Sequence, residues 1–347
     1  MELRIYSPQL NLLGIIENQT SLIWTRRYYE PGEFEIHAPI TAYNLRILQN
    51  GNIVWKRGDP EAGVIEDITL DEGMFTTEAI VKGRFLSAYM DRRLIKQTVS
   101  INDTAENAMR RLLSGVAAIP LVELGELRGY TQRVNFQATY KNLLTYETKI
   151  ARAVGLGYRF HPDFTAKKIY FEVYAGDNHA TSQGIRSRVI FSEGYNNLNH
   201  ATYKYNDQLH RNVAYVGGEG EGNARTVVQV GNSSGLALRE LFVDAKDIRQ
   251  EDGMTAAEYR RLLTERGLEK LAELPVSESF ACDTGADINF EYGKDYDLGD
   301  LVTVKKQGWG ITQDFRITEL REIYEGGQRI EPTFGDPLPE KIDWRDE

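Results

Sequence analysis

The sequence predicts a mainly β fold with an α+β insertion. Short apolar stretches that alternate with polar residues dominate both ends of the chain, whereas helical periodicity is concentrated at about residues 96–190 and 255–274. Turns rich in Gly, Pro and Asp separate these stretches at short intervals. The chain has 347 residues, of which 41% are hydrophobic, which is enough for about two domains with a full core.

The first segment, about residues 1–95, is expected to form strands. Glu33 to His37 alternates polar and apolar residues, as a half-buried strand does, and it follows a turn at Glu30-Pro31-Gly32 in which Gly can adopt positive φ. The clearest hairpin extends from Val64 to Val81, with its turn at Asp71-Glu72-Gly73. This segment is therefore predicted to be a first β-barrel-like domain.

A small α+β domain is predicted over residues 96–190. The sequence Asp103-Thr104-Ala105-Glu106 resembles a capping box in which Asp103 replaces the usual Ser or Thr, and apolar residues follow at helical spacing. A second helix is expected from Thr139 to Val154. A hairpin is expected over residues 158–174, where two apolar runs flank a Pro-Asp turn.

Strands return over residues 191–335, and a helix over 255–274 interrupts them. This helix opens with the capping box Thr255-Ala256-Ala257-Glu258, and the last tight turn falls at Glu325-Gly326-Gly327. Residues 336–347 are expected to form an extended arm. The two strand-rich segments could be one barrel split by an insertion or two similar barrels, because no clean repeat decides between these arrangements.

Charge and hydropathy exclude several classes of protein. The net charge of −10 gives little counterion release on DNA or RNA and makes the chain a poor partner for anionic membranes. No apolar run approaches the roughly 18 residues that a membrane helix needs, and no cationic start precedes an apolar run as in a signal peptide. We therefore expect synthesis in the cytoplasm and no membrane partner.

No pattern in the sequence indicates a catalytic, cofactor or metal site. The single cysteine, Cys282, excludes an intrachain disulfide and lies in a strand-like stretch, where Cys is usually a small buried hydrophobe. The glycine-rich residues 217–222 precede a strand rather than a helix, so a hairpin tip is expected instead of a phosphate loop. None of the five histidines has the spacing of a zinc site: His37, His161, His179, His200 and His210.

Carboxylates and tyrosines leave two other functions open. A glycan hydrolase needs two carboxyl groups across a cleft, and sequence cannot select them among 51 acidic residues. Tyrosine clusters could stack on sugars, although Tyr also suits strands and protein interfaces. These clusters are Tyr28-Tyr29 and Tyr203, Tyr205 and Tyr215.

Three stretches together resemble the tail-hub (baseplate hub, minor tail) proteins of siphophages and prophages, of the ReqiPepy type. That family is related to the central hub of contractile tails. The stretches are residues 24–36, 296–302 and 323–335, which follow each other in order over nearly the whole chain. The residues that carry the resemblance are Arg27, Pro31, Gly32, Glu33 and Phe34 in the first stretch, Tyr296, Gly299 and Asp300 in the second, and Tyr324, Pro332 and Gly335 in the third.

The resemblance implies a structural, non-enzymatic subunit of the virion tail, assembled in the host cytoplasm. Two tube domains per chain, residues 1–95 and 191–335, would let a homotrimer form a pseudo-sixfold ring that continues the tail tube. The implied partners are a distal tail ring protein, a tape-measure protein and a tail-tip or fibre protein, with DNA only as passing cargo. A receptor- or cell-wall-carbohydrate-binding tail protein is the alternative function.

An acidic channel wall would let DNA slide, because it offers no cations to the phosphates. Neutralising the carboxylates that face the channel is then expected to slow genome ejection, and unchanged ejection kinetics would contradict this.

Overall fold

The computed structural model of the chain describes residues 1–72, 77–250, 253–284 and 289–335. In these ranges strands predominate over helices, which confirms the predicted fold class. Its strands are β1 Leu3–Tyr6, β2 Leu12–Ile16, β3 Ser21–Arg27, β4 Glu33–Pro39, β5 Ile53–Lys56, β6 Gly63–Glu72, β7 Thr77–Phe85, β8 Leu94–Ile95, β9 Val99–Thr104, β10 Val122–Leu124, β11 Arg133–Ala138, β12 Lys141–Asn142, β13 Gly157–Asp163, β14 Lys168–Tyr174, β15 Ile190–Ser192, β16 Asn199–Asn206, β17 Val213–Gly217, β18 Val227–Val230, β19 Glu240–Asp244, β20 Ser277–Asp283, β21 Leu301–Lys306, β22 Ile311–Tyr324 and β23 Gln328–Gly335. The helices are α1 Ala42–Ile47, α2 Ala105–Gly115, α3 Leu143–Val154 and α4 Ala256–Ala272.

One sheet of 13 strands joins the two ends of the chain. Its strand order is β16-β20-β23-β22-β3-β4-β7-β6-β5-β1-β2, and β21 and β15 extend it from β22. The antiparallel pairing of β3 with β22 places Thr25 opposite Arg321, so the first and third predicted segments share backbone hydrogen bonds. In the described ranges this branched sheet ends at β2, β16 and β15 and does not close into a barrel. The division at residues 95, 190 and 335 stays a prediction.

The predicted hairpin is present as β6 and β7. Its strands pair antiparallel from Gly63 opposite Phe85 to Glu72 opposite Thr77, with a bulge between Ile65 and Asp67. The strand therefore continues through Asp71 and Glu72, which the sequence assigned to the turn. Gly73, the last residue of the predicted turn, lies outside the described residues.

Helix α2 begins one residue later than predicted. Thr104 rather than Asp103 is the N-cap, because the Thr104 hydroxyl accepts the Asn107 N–H at 3.4 Å. The Glu106 carboxylate does not complete a capping box. It is buried instead and accepts backbone N–H groups of residues 128, 129 and 130 at 2.7–3.1 Å.

Helix α3 begins at Leu143, not at Thr139. Lys141 and Asn142 pair with β8 as a short strand, and the Asn142 side chain then caps the helix by accepting the Thr145 N–H at 3.0 Å. The helix ends where predicted, at Gly155 in the left-handed conformation. The predicted hairpin that follows is confirmed as β13 and β14.

Helix α4 belongs to a larger insertion than the sequence indicated. The capping box at Thr255 and Glu258 is present. The helix packs on a separate sheet of order β18-β17-β19, which is inserted between the paired strands β16 and β20 and has its own apolar core. Residues 217–222 lie at the end of β17, which pairs antiparallel with β18, so the predicted hairpin is confirmed.

The buried residues fall into separate apolar cores on the main sheet and the insertion. Cys282 is among the buried residues, at 5% exposure, as expected for a small buried hydrophobe. Its burial raises the pKa of the thiol. None of the helices in the described part of the chain is long and apolar enough to cross a membrane. The predicted arm, residues 336–347, lies outside the described residues.

Candidate functional site

The three stretches that carry the family resemblance meet at one place, where β3 pairs with β22. The first stretch provides β3 and β4, and the third provides the end of β22 and β23. The second stretch joins them, because Gly299 N–H donates to the Ile317 carbonyl and Ile317 N–H donates to the Asp300 carbonyl, both at 2.8 Å. We call this region, β3, β22 and residues 296–300, the seam.

A buried arginine lies at the centre of the seam. Arg26 is 2% exposed and donates to Glu61 at 3.2 Å, to Asp297 at 2.9 Å and to the Tyr292 hydroxyl at 2.7 Å. Burial alone would lower the pKa of Arg26, but these neighbours outweigh it and raise the pKa. For Glu61, burial outweighs the effect of Arg26 and raises the pKa to about 7.

A second buried ion pair joins β5 to strand β22 of the seam. Lys56 of β5 contacts Glu322 of β22 and lies 3.1 Å from Asp59. Asp59 also accepts the Trp24 indole N–H at 3.0 Å, and the Tyr324 hydroxyl donates to Glu322 at 2.6 Å. Buried pairs of this kind contribute little net stability but strongly penalise any register that separates them. We infer that both pairs fix how the two chain ends meet.

Arg27, the residue next to the buried Arg26, connects the seam on its solvent side. Its guanidinium donates to Glu319 at 2.8 Å, to Glu33 at 2.7 Å and to the Pro31 carbonyl at 3.5 Å. Its side chain is one-quarter exposed, so these contacts are partly screened by water. Arg27, Pro31 and Glu33 therefore form one contact group, as their proximity in sequence allows.

Gly32 and Phe34 have packing roles. Gly32 does not adopt positive φ, contrary to the expected turn, but a Cβ there would lie 2.2 Å from the Thr25 carbonyl oxygen. Phe34 is buried and its ring fills the space that side chains at Gly63 and Gly83 would occupy. Both residues thus depend on close approach between strands.

Gly299, in contrast, requires its backbone freedom. It has φ +94, and a Cβ would lie 2.3 Å from the buried Tyr28 ring. Arg316 holds the same turn, because its guanidinium donates to the Gly299 carbonyl at 2.5 Å and lies over the Tyr28 ring. The turn of the second stretch is therefore packed directly onto the first stretch.

Replacing Gly299 with alanine is expected to lower the free energy of unfolding by about 2 kcal/mol, because the substitution adds both overpacking and backbone strain. Gly326 also has positive φ (+64), but a Cβ there would meet nothing within 4 Å. Gly326→Ala is the matched control and should cost about 1 kcal/mol through backbone strain alone. Urea denaturation measures both, and equal losses would contradict the packing argument.

Asp300 and Tyr296 hold the second stretch in place. Asp300 accepts the N–H groups of Asp177 at 2.6 Å and of Asp297 at 2.8 Å. Burial raises the pKa of Asp300, and those two hydrogen bonds oppose the shift. Tyr296 is buried with its ring edge-on to Phe191 at 5.3 Å.

Pro332 and Gly335 lie on β23. Pro332 is buried opposite Leu320, and Gly335 has φ +79 at a point where a Cβ would lie 2.3 Å from the Glu278 carbonyl oxygen. With Tyr324, all the residues that carry the resemblance lie at the seam, on the strands beside it or in the turn between β3 and β4. Their importance for the family stays a prediction.

Sequence reasoning missed the buried charged residues in the seam and in contact with it: Arg26, Lys56, Asp59, Glu61 and Glu322. Charged side chains are almost never fully buried unless paired, so a sequence gives no reason to place them in a core. The one local signal is the position of Arg26 in β3. It is two residues after Trp24, so both lie on the same, buried face of the strand.

The outer face of β4 and β7 carries charge pairs between these two strands. Lys82 lies 2.9 Å from Glu35, and His37 lies between Glu35 at 2.8 Å and Glu78 at 3.0 Å. Burial would lower the pKa of His37, but the hydrogen bonds to both carboxylates outweigh it and raise the pKa. Cross-strand pairs of opposite charge stabilise sheets.

His37 should make stability depend on pH. Its pKa is raised on folding, so its contribution is complete below the unfolded value of about 6.5 and is lost as pH rises through the folded value. We expect the free energy of unfolding to fall as pH rises above about 6.5, and His37→Gln to remove that component. His200→Gln, at an exposed position, is the control, and identical pH profiles for wild type and His37→Gln would contradict the assignment.

The described residues offer no cluster of metal ligands, and one surface cleft has cations that are paired. Those residues contain no group of three or more His, Cys, Asp or Glu that could hold a metal ion. A surface cleft of about 430 Å³ lies between the β3–β4 turn and α3. Its cations are each paired with carboxylates: Arg27 with Glu33 and Glu319, Arg84 with Glu66 and Asp91, and Lys149 with Glu273.

The tyrosine clusters separate into buried and exposed groups. Tyr28 and Tyr29 are buried in the core and cannot stack on a sugar. Tyr203, Tyr205 and Trp309 are 36–58% exposed, and the first and last of these flank the buried Phe280 at 6.5 and 6.0 Å. An exposed aromatic patch therefore exists at the β16 end of the main sheet.

Solved structures of phage tail proteins share this fold. A tail protein from Neisseria meningitidis MC58 is 13% identical with a TM-score of 0.59, and the match covers 96% of each chain. The 43 kDa tail protein of prophage MuSo2 from Shewanella oneidensis is 14% identical with a TM-score of 0.59, covering 96% of this chain and 98% of that one. Prophage tail protein gp18 from Listeria monocytogenes EGD-e is 14% identical with a TM-score of 0.55, covering 99% and 96%.

No curated protein matches the chain. Residues 2–336, however, match a family of phage tail proteins, and this range contains all three stretches that meet at the seam. The match confirms the resemblance drawn from those stretches: the chain belongs to the family of Siphovirus ReqiPepy6 Gp37-like proteins.

Proposed function

We propose that the chain is a structural, non-enzymatic tail-hub subunit, three copies of which form a ring that closes the tail tube. The observation that carries this proposal is the seam, which joins both ends of the chain into one sheet. Its buried charges pair with one another between neighbouring parts of the fold, which supports a role in fixing strand pairing. A scaffold with a fixed register is what a ring subunit requires, because each copy must present the same edges to its neighbours.

The open sheet supports ring formation. Two of its end strands, β2 and β16, differ in sequence, so a contact between them is head-to-tail rather than isologous. Head-to-tail contacts close when the rotation per subunit divides a full turn, and closure removes the exposed sheet edges. The resemblance to hub proteins implies three as the number of copies.

The partners follow from the position of such a ring. On one side it would contact a distal tail ring protein and the tape-measure protein, and on the other a tail-tip or fibre protein. DNA would pass through it without binding. The charged face of β4 and β7 supports this last point, because Lys82 is already paired with a carboxylate and offers no free cation to a phosphate.

Native mass spectrometry of the full chain, together with electron microscopy of labelled particles, tests the proposal. We expect a mass of three 39.5 kDa chains and a label at the tail tip. A hub subunit can stay monomeric until assembly. If the free chain is a monomer, the microscopy result is therefore the one that tests the proposal. A label absent from particles, or spread along the whole tail tube, would contradict the hub role.

The exposed aromatic patch favours a second candidate function, binding of a cell-wall or receptor carbohydrate. Tyr203 donates to Glu278 at 2.8 Å, which also accepts from Gln313 at 3.2 Å, so fixed polar groups lie beside the rings. A glycan-binding assay separates the two functions. Affinity that is lost in Trp309→Ala, but not in Tyr140→Ala at another exposed aromatic position, would favour carbohydrate binding.

A further inference from the structure

A tyrosine hydroxyl occupies the free edge of strand β2. This strand ends the main sheet, so one side of its backbone has no neighbouring strand among the described residues. The Tyr43 hydroxyl accepts the Ile15 N–H at 3.0 Å and donates to the Ile15 carbonyl oxygen at 3.1 Å. One side chain therefore uses both backbone groups that an added strand would need at this position.

The local structure is built to hold this hydroxyl. Tyr43 lies in α1, which Thr41 caps by accepting the Asn44 N–H at 3.0 Å, and the Arg46 guanidinium lies 5.4 Å from the Tyr43 ring centre. A Cβ at Gly14 would lie 2.4 Å from the Tyr43 hydroxyl oxygen, so only glycine leaves room for it. The contact is therefore specific to the tyrosine hydroxyl and the glycine beneath it.

The side chains of β2 point to association. Leu12 is 54% exposed, and Leu13 and Ile15 are each 40% exposed. Edge strands are normally protected by charges, proline or strong bulging. Leu12 to Ile16 contains neither a charge nor a proline, and its pairing with β1 is irregular only at Leu13. At Ile15, where the pairing with β1 is regular, Tyr43 is the group that blocks an added strand.

We propose that the Tyr43 hydroxyl blocks the β2 edge in the free subunit, and we call this contact the latch. Strand β16 of a second copy of this chain displaces the hydroxyl and pairs with β2. This inference rests on the proposed ring. Every copy has one β2 and one β16, which end the longest path of strands through the sheet, so a head-to-tail contact can use one of each. The latch would keep free subunits from pairing before the ring is assembled.

The chemistry of β16 matches that of β2. Tyr203 and Tyr205 are exposed on alternate residues, and aromatic–aliphatic pairs stabilise neighbouring strands. β16 contains no carboxylate and carries Lys204, whereas Glu17 follows β2 directly. Charge and side-chain type therefore favour this strand as the occupant.

Tyr43→Phe tests the latch, because it removes the hydroxyl and keeps the ring. The exposed Ile15 groups can bond to water, so the variant should fold, as circular dichroism can verify. We expect self-association about tenfold tighter than wild type by sedimentation velocity, since two hydrogen bonds no longer compete. Tyr140→Phe should behave as wild type, and unchanged association of Tyr43→Phe would overturn the latch.

A photo-cross-linking residue at position Leu13 of the full chain, in assembled particles, tests the occupant. We expect cross-links to residues 199–206 of a second copy, and none to that segment from the same group at Leu70, which is 54% exposed on β6. Cross-links to another tail protein, or to a different segment, would overturn this inference and leave the trimeric ring intact. Absence of the chain from particles would instead contradict the proposed function.

Discussion

Replacing Arg26 with methionine is expected to lower the free energy of unfolding by about 3–5 kcal/mol, because it leaves a buried charge without its partner. The partner most affected is Glu61, whose side chain is 3% exposed, whereas Asp297 is half exposed and can be hydrated. Urea denaturation followed by tryptophan fluorescence measures the loss.

The loss should depend on pH in a defined direction. The folded pKa of Glu61 is about 7, above its unfolded value, so this residue favours unfolding as pH rises from about 4.5 to 7. Without Arg26 the folded pKa rises further, and the destabilisation extends to higher pH. We therefore expect wild type and Arg26→Met to differ more at pH 8 than at pH 5.

Two variants control this prediction. Arg27→Met removes the neighbouring arginine, whose partners Glu33 and Glu319 reach solvent, and should cost less than about 1 kcal/mol. The double variant Arg26→Met with Glu61→Leu should recover most of the loss, because an apolar pair can replace a buried ion pair. Equal losses for Arg26→Met and Arg27→Met would show that the seam does not depend on its buried charge.

Two buried glutamates, Glu106 in α2 and Glu147 in α3, should respond in opposite directions to the same substitution. Glu106 is 1% exposed and accepts three backbone N–H groups, whereas Glu147 is 0% exposed and neither of its carboxylate oxygens has a hydrogen-bond partner. We expect Glu106→Leu to cost about 2–3 kcal/mol, because it leaves those donors unpaired. Glu147→Leu should gain about 2 kcal/mol, because it removes an unpaired polar group from the core.

The pH profile separates these effects further. Burial raises the pKa of Glu147 well above its usual range. The unfolded chain therefore ionises first, and wild-type stability should decline as pH rises above about 4.5. Glu147→Leu should flatten this decline, and thermal or urea unfolding at several pH values measures it. A destabilised Glu147→Leu variant would show that an unseen partner, such as a buried water, satisfies the carboxyl group.

Local sequence patterns predicted those elements whose causes are local. The capping box at Thr255 and Glu258 gives the start of α4, and Gly155 gives the end of α3. The alternation of β6 and β7 gives their hairpin. Each of these signals lies within a few residues of the element it specifies, so no knowledge of the rest of the chain is needed.

The misplaced boundaries have a common physical reason. The sequence predicts helix from Thr139 to Asn142, but Lys141 and Asn142 pair with β8 as a strand. Glu106 reads as part of a capping box, but the segment at residues 128–130 supplies donors that it satisfies instead. In both cases a partner distant in sequence competes with the local preference and prevails.

The sequence by itself determined the mainly β class and the resemblance of three short stretches to tail-hub proteins. Only the tertiary structure decided that these stretches meet, through the pairing of β3 with β22 and the burial of Arg26 against Glu61. A charged residue is normally assigned to the surface, because burial without a partner is costly. Since the partner of Arg26 is 35 residues away, its burial can be recognised only once the chain is folded.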